Sequence, residues 1–172
     1  MKKSIAVSYS IYLIALCVFL FANITFDFLG AINFSFIANF LDVYTMVFMF
    51  IFCFIILAFT KLLKPFANSF IFMFKNSTYS FGQYKQCILS IKTTMISSLI
   101  GGGIYGIATI INMISTLSND FSSVGIYIAL ALLPIFYSLV VCSVLLPIYI
   151  LLNKEIMNYK NSNTHRKSRK SQ

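Results

Sequence analysis

The sequence predicts an all-α integral membrane protein with four transmembrane helices and both termini on the cytoplasmic side. Three observations carry that expectation. First, 59% of the 172 residues are hydrophobic and only 10% are charged, far from the make-up of an average soluble domain. Second, four long apolar stretches fall within or above the roughly 17–25 residues that a spanning helix needs. Third, all thirteen Lys and Arg residues fall in three places. These are Lys2 and Lys3; Lys61, Lys64, Lys75, Lys85 and Lys92; and Lys154, Lys160, Arg166, Lys167, Arg169 and Lys170. The other two connections carry only the acids Asp27, Asp42 and Asp120. Cytoplasmic loops collect Lys and Arg and the far side does not, so the alternation predicts an N-in, C-in topology.

The first span is expected at Ile5–Ala22, with Lys2 and Lys3 at its inner end. Met1-Lys2-Lys3 ahead of an apolar run also fits a signal peptide, cleaved after Ala22, but the run is long for a signal core and favours an uncleaved span. Asn23–Asp42 is apolar enough to rival a fifth span. Counting it as one scrambles the basic islands, and Asp27, Gly30, Asn33 and Asn39 suit a short interfacial segment lying flat on the outer surface. The second span, Val43–Thr60, re-enters and ends at Lys61 and Lys64. Pro65 can open a new helical stretch, and Phe66–Phe74 is too short to cross, so a second interfacial helix is expected there. The polar run Asn76–Gln86 reads as the inner loop. The third span is expected from Thr94 to Ile114, with Lys92 snorkelling at its inner end, and a turn follows at Leu117–Ser123. The fourth, Val124–Leu152, contains Pro134 and Pro147, two expected helix bends. Residues 1–152 thus form one membrane domain with spans near 5–22, 43–60, 94–114 and 124–152. Residues 153–172 form a basic cytoplasmic tail expected to be disordered, attracted to anionic lipid by about 1 kcal/mol per basic residue near the surface.

Several function classes are disfavoured. The net charge of +9 sits beside membrane ends rather than among base-stacking aromatics, so topology accounts for it and no nucleic-acid partner is expected. Cys17, Cys53, Cys87 and Cys142 stand singly, and the one histidine, His165, lies in the tail. No metal site, disulfide or cofactor is implied. No Asp, Glu, Lys, Arg or His lies in the core of any expected span, and such groups mark proton and ion paths. With no nucleophile–base pair or phosphate-cradling loop either, the chain does not read as an enzyme.

The third span opens Ser97-Ser-Leu-Ile-Gly-Gly-Gly-Ile-Tyr-Gly106, which puts Gly102 and Gly106 on one helix face and permits close helix contact. Tyr105, Thr109 and Asn112 accompany them. The fourth span carries Gly125, Ala129, Ala131, Tyr137, Ser138 and Ser143, a second small and hydroxyl-bearing face.

From Ser97 to Pro147 these residues resemble the MotA/TolQ/ExbB proton-channel family, on its MotA-like side. Gly102 and Gly106 fit that family's Gly-Thr-x-x-Gly pattern in the third span. Gly125, Ala129, Ala131, Leu132, Tyr137 and Pro147 fit its fourth-span pattern of Gly, paired Ala, Leu, Tyr and a later Pro. Phe40-Leu-Asp-Val-Tyr-Thr45 is similar to the Phe-Ile-Asp-x-x-Ser that opens the second span. The resemblance implies a ring subunit, pentameric in the family, surrounding two helices of a single-span MotB/TolR/ExbD-like partner in the inner (cytoplasmic) membrane. That partner supplies the proton-binding Asp. Burial raises a carboxylate's pKa, so alternate protonation can drive the ring in proton-motive-force-driven motion or energy transduction. Gly102, Gly106, Gly125, Ala129, Ala131, Pro134 and Tyr137 are then the channel- or partner-facing residues, with Pro147 a helix bend. The chain also departs from the pattern. Gly103, Pro134 and Ile135 stand where the family has hydroxyls, Ile51 and Phe52 where it has a Gly pair, and the large cytoplasmic domain shrinks to about thirty residues. These departures keep open an alternative expectation, a non-conducting membrane scaffold or accessory protein.

Overall fold

The computed structural model describes residues 2–25, 42–74, 80–116 and 124–170, and among them only helices and short turns occur. The helices are α1 (Lys2–Thr25), α2 (Val43–Phe59), α3 (Leu63–Phe74), α4 (Phe81–Thr116) and α5 (Val124–Lys170). Two of them, α4 and α5, are long and apolar enough to cross a membrane, or three spans result if α2 and α3 count as one broken span. The lateral surface is apolar too. Val18 and Phe19 on α1, Phe50 on α2 at 77% exposure, and Ile107 and Ile111 on α4 all point outward. Hydrocarbon is the solvent such a surface suits. The chain is a membrane protein, all-helical among the described residues.

The second expected span matches α2 to within a residue, because its start is chemically marked. Asp42 is the N-cap, and its carboxylate accepts from the amides of Tyr44 (3.1 Å) and Thr45 (3.4 Å) and from the Thr45 hydroxyl. The C-terminus closes equally clearly. The Leu62 amide donates to the Leu57 carbonyl (2.9 Å) and the Lys61 amide to that of Ala58 (3.1 Å), the paired bonds of a Schellman motif. Lys61 takes the left-handed position with φ 57°, where Gly is usual. The chain then turns by 106° into α3, whose extent fits the short, non-crossing helix expected after the second span.

Two boundaries differ from expectation. The helix that contains the expected third span begins at Phe81, so Phe81–Gln86 is helical rather than part of the loop. Ser80 and Gln83 form a capping box: the Ser80 amide donates to Gln83 Oε1 (2.9 Å) and the Gln83 amide to Ser80 Oγ (3.4 Å). At the other end, α5 continues from Leu152 to Lys170, where a disordered tail was expected. No Gly or Pro follows Pro147, so no strong helix breaker is present there. The helix also runs on through both Pro134 and Pro147. The expected outer segment Asn23–Asp42 and the turn Leu117–Ser123 lie almost wholly outside the described residues.

The core gathers at one end of the bundle. Tyr9 of α1, Phe72 of α3, Tyr84, Cys87 and Ile91 of α4, and Leu145, Ile148 and Leu152 of α5 form one buried cluster. Phe72 meets Tyr84 edge-on at 5.3 Å between ring centroids. The Tyr9 and Tyr12 hydroxyls donate to the Val144 (3.1 Å) and Ser143 (2.9 Å) carbonyls, tying α1 to α5. Beyond the cluster, Phe81 stacks on Tyr159 at 5.5 Å and Lys85 lies over the Phe81 ring. Exposed Lys61, Lys64, Lys85, Lys92, Lys154 and Lys160 lie on the segments that build this end.

Candidate functional site

The small residues singled out in the sequence meet along the antiparallel seam of α4 and α5. A Cβ added at Gly102 would strike the Ser138 hydroxyl and lie 2.6 Å from the Pro134 carbonyl oxygen; one added at Gly106 would lie 2.8 Å from that of Ala131. Both obstacles include backbone atoms, which cannot swing aside, so glycine is required by close approach. Gly103 has open space around its Cβ direction. A Cβ added at Gly101 would lie 2.8 Å from the Phe52 ring, and Phe48, beside Phe52 on α2, packs on Tyr105 at 5.1 Å between ring centroids. A large side chain on α2 thus fills the place that a missing side chain on α4 leaves open.

Hydroxyls cross-link the same seam. Ser138 Oγ lies 2.7 Å from the Ser98 carbonyl and 2.8 Å from that of Pro134, so its one proton is shared between α4 and its own helix. The Cys142 thiol donates to the Met95 carbonyl at 3.6 Å. Thr94 donates to Ser90 O (2.9 Å) and Ser90 to Cys87 O (2.7 Å), and Ser69 of α3 bonds to Pro65 O (2.8 Å) and Cys87 O (3.3 Å). Each of these protons ends on a backbone carbonyl, which has none to pass on. Ser138, Cys142 and Ser69 thereby fasten α5 and α3 to α4, whereas Thr94 and Ser90 bond back to their own helix.

The structure brings most of the predicted site residues together. Gly102, Gly106, Ala131, Pro134 and Tyr137 are buried in or beside the seam, whereas Gly125 and Ala129 are exposed on α5. Pro147 lines a cavity between α1 and α5 with Tyr9 and Tyr12. The Asp42 amide donates to the Tyr137 hydroxyl (3.1 Å), joining the cap of α2 to the N-terminal third of α5. Sequence reasoning missed that link, since no spacing rule connects residues 95 positions apart. It also passed over Ser98, although its place one turn before Gly102 on the same face was a usable signal. Among the described residues the buried side chains include no Asp, Glu, Lys, Arg or His, and no three His, Cys, Asp or Glu cluster to hold a metal.

One concave feature adjoins the seam. A groove of about 540 Å³ runs between α2 and α5, floored by α4 and closed at one end by α3. Its walls are almost wholly apolar, with Met49, Cys53 and Leu57 on one side and Val140, Val141 and Val144 on the other. No protein-family model, curated protein or solved structure matches this chain.

Proposed function

We propose that the chain crosses the inner (cytoplasmic) membrane four times with both ends on the basic side, and that it is a short MotA/TolQ/ExbB-like ring subunit. It works with a single-span partner that carries a proton-binding Asp. The observation that supports this reading is the α4–α5 seam, in which Gly102 and Gly106 meet Ala131, Pro134 and Ser138. These residues follow the family's order across its third and fourth spans. A seam whose interior holds no buried acid or base needs an acidic group from elsewhere to carry protons. Exposed Gly125 and Ala129 are the members of the set free to meet a second chain. In this placement α3, turned by 106° from α2, lies along the inner interface.

A second reading is favoured by the burial of Gly102, Gly106, Ala131, Pro134 and Tyr137 within one chain. Residues consumed in a subunit's own packing suit a non-conducting scaffold equally well. Reconstitution separates the two. The chain is purified with a single-span neighbour bearing an intramembrane Asp, and proton uptake is followed in vesicles under an imposed potential. Uptake that needs both chains and falls at least tenfold when the partner's Asp is changed to Asn is expected for the ring subunit. A chain that purifies without a companion, or uptake indifferent to the partner, contradicts it.

A further inference from the structure

The groove between α2 and α5 has a length, an apolar lining and a charged end that together select an occupant. On α2 its lining runs from Met46 to Leu57, about 17 Å at 1.5 Å per residue, and on α5 from Tyr137 to Leu145, about 12 Å. One leaflet of a bilayer with a hydrocarbon core of about 30 Å is about 15 Å deep. The groove is therefore one leaflet long. Its walls expose almost no polar atoms along that depth, so the occupant they suit is an apolar chain.

The charge lies at one end. Leu63 lines the groove where α3 closes it, and the flanking Lys61 and Lys64 are exposed. No Asp or Glu occurs between Val43 and Phe74, so no acid on α2 or α3 compensates them. Lys61 also stands with φ 57° at a hinge where Gly would be less strained, which places a cation where conformation alone would not. Basic residues at the inner end of an apolar interhelical groove match a phosphate at headgroup depth above an acyl chain.

We infer that this groove is a binding site for one acyl chain of an anionic phospholipid of the inner leaflet, with its phosphate held by Lys61 and Lys64. The inference rests on the four-crossing placement proposed above and is independent of proton conduction.

The test uses the full chain. It is reconstituted in vesicles containing equal phosphatidylglycerol and phosphatidylcholine, extracted in mild detergent, and its retained lipid is counted by native mass spectrometry. The wild type is expected to keep one phosphatidylglycerol per chain, preferred by roughly tenfold or more. The double variant K61Q/K64Q should lose the preference. A67F, which fills the groove from an exposed position on α3, should lose lipid of both kinds with its helical content unchanged. Equal retention of the two lipids by the wild type, a preference that survives K61Q/K64Q, or no retained lipid at all overturns the inference. None of these outcomes touches the placement, which is read separately from loop accessibility.

Discussion

At the scale of single residues, four of the five glycines in α4 meet three different surroundings. Gly102 and Gly106 are pressed against carbonyl oxygens of α5, Gly101 against a ring that can shift, and Gly103 against nothing. Substitution by Ala should sort them. G102A and G106A overpack a fixed backbone and are expected to destabilise by about 1–3 kcal/mol. G103A is expected to be neutral or to stabilise by up to about 1 kcal/mol, since it removes a helix-interior glycine without a clash. Thermal midpoints of the purified chain in one detergent check both, and equal effects at 102 and 103 would refute the seam. The close approach at Gly102 and Gly106 was legible from their four-residue spacing. The identity of what approaches them was not, because spacing describes one helix and says nothing of its neighbour. Phe52 shows the same limit: its fit against Gly101 depends on how α2 crosses α4.

At the scale of elements, the sequence told where the apolar stretches lie better than where helices end. Asp42 and Thr45 mark the start of α2 by hydrogen bonds that only their side chains can make, and that boundary was read correctly. The start of α4 was placed at Thr94, where hydropathy rises, yet Ser80 and Gln83 begin the helix more than three turns earlier. Hydropathy reports where a bilayer would begin, whereas capping reports where a helix does. The same distinction explains α5, which leaves the apolar region near Leu152 and continues to Lys170. The hinge between α2 and α3 offers a measurable consequence. K61G should relieve the left-handed strain and stabilise the chain by about 1 kcal/mol in detergent. A lowered thermal midpoint would show that the Lys61 side chain outweighs its backbone conformation.

At the scale of the whole molecule, α4 and α5 are about 54 and 70 Å long and exceed a hydrocarbon core of about 30 Å. Their surplus gathers at the end where Ile91, Ile148 and Leu152 are fully buried and where α1 and α3 join them. The alternation of basic and acidic connections predicts that these inner ends group together. The stacking of Phe81 on Tyr159, with Lys85 over the Phe81 ring, fits that grouping. Residues of the kind that announce an interface in a sequence, such as Gly102, Gly106 and Ala131, are here used in the chain's own packing.

Which side of the membrane holds that basic end is decided most directly by an epitope inserted between Ser77 and Thr78, probed with antibody in intact and in permeabilised cells. Four crossings with both termini inside require the epitope to be reached only after permeabilisation, together with a tag placed after Gln172. Recognition of the Ser77–Thr78 epitope in intact cells, with the tag still protected, would contradict the placement and the ring-subunit proposal built on it.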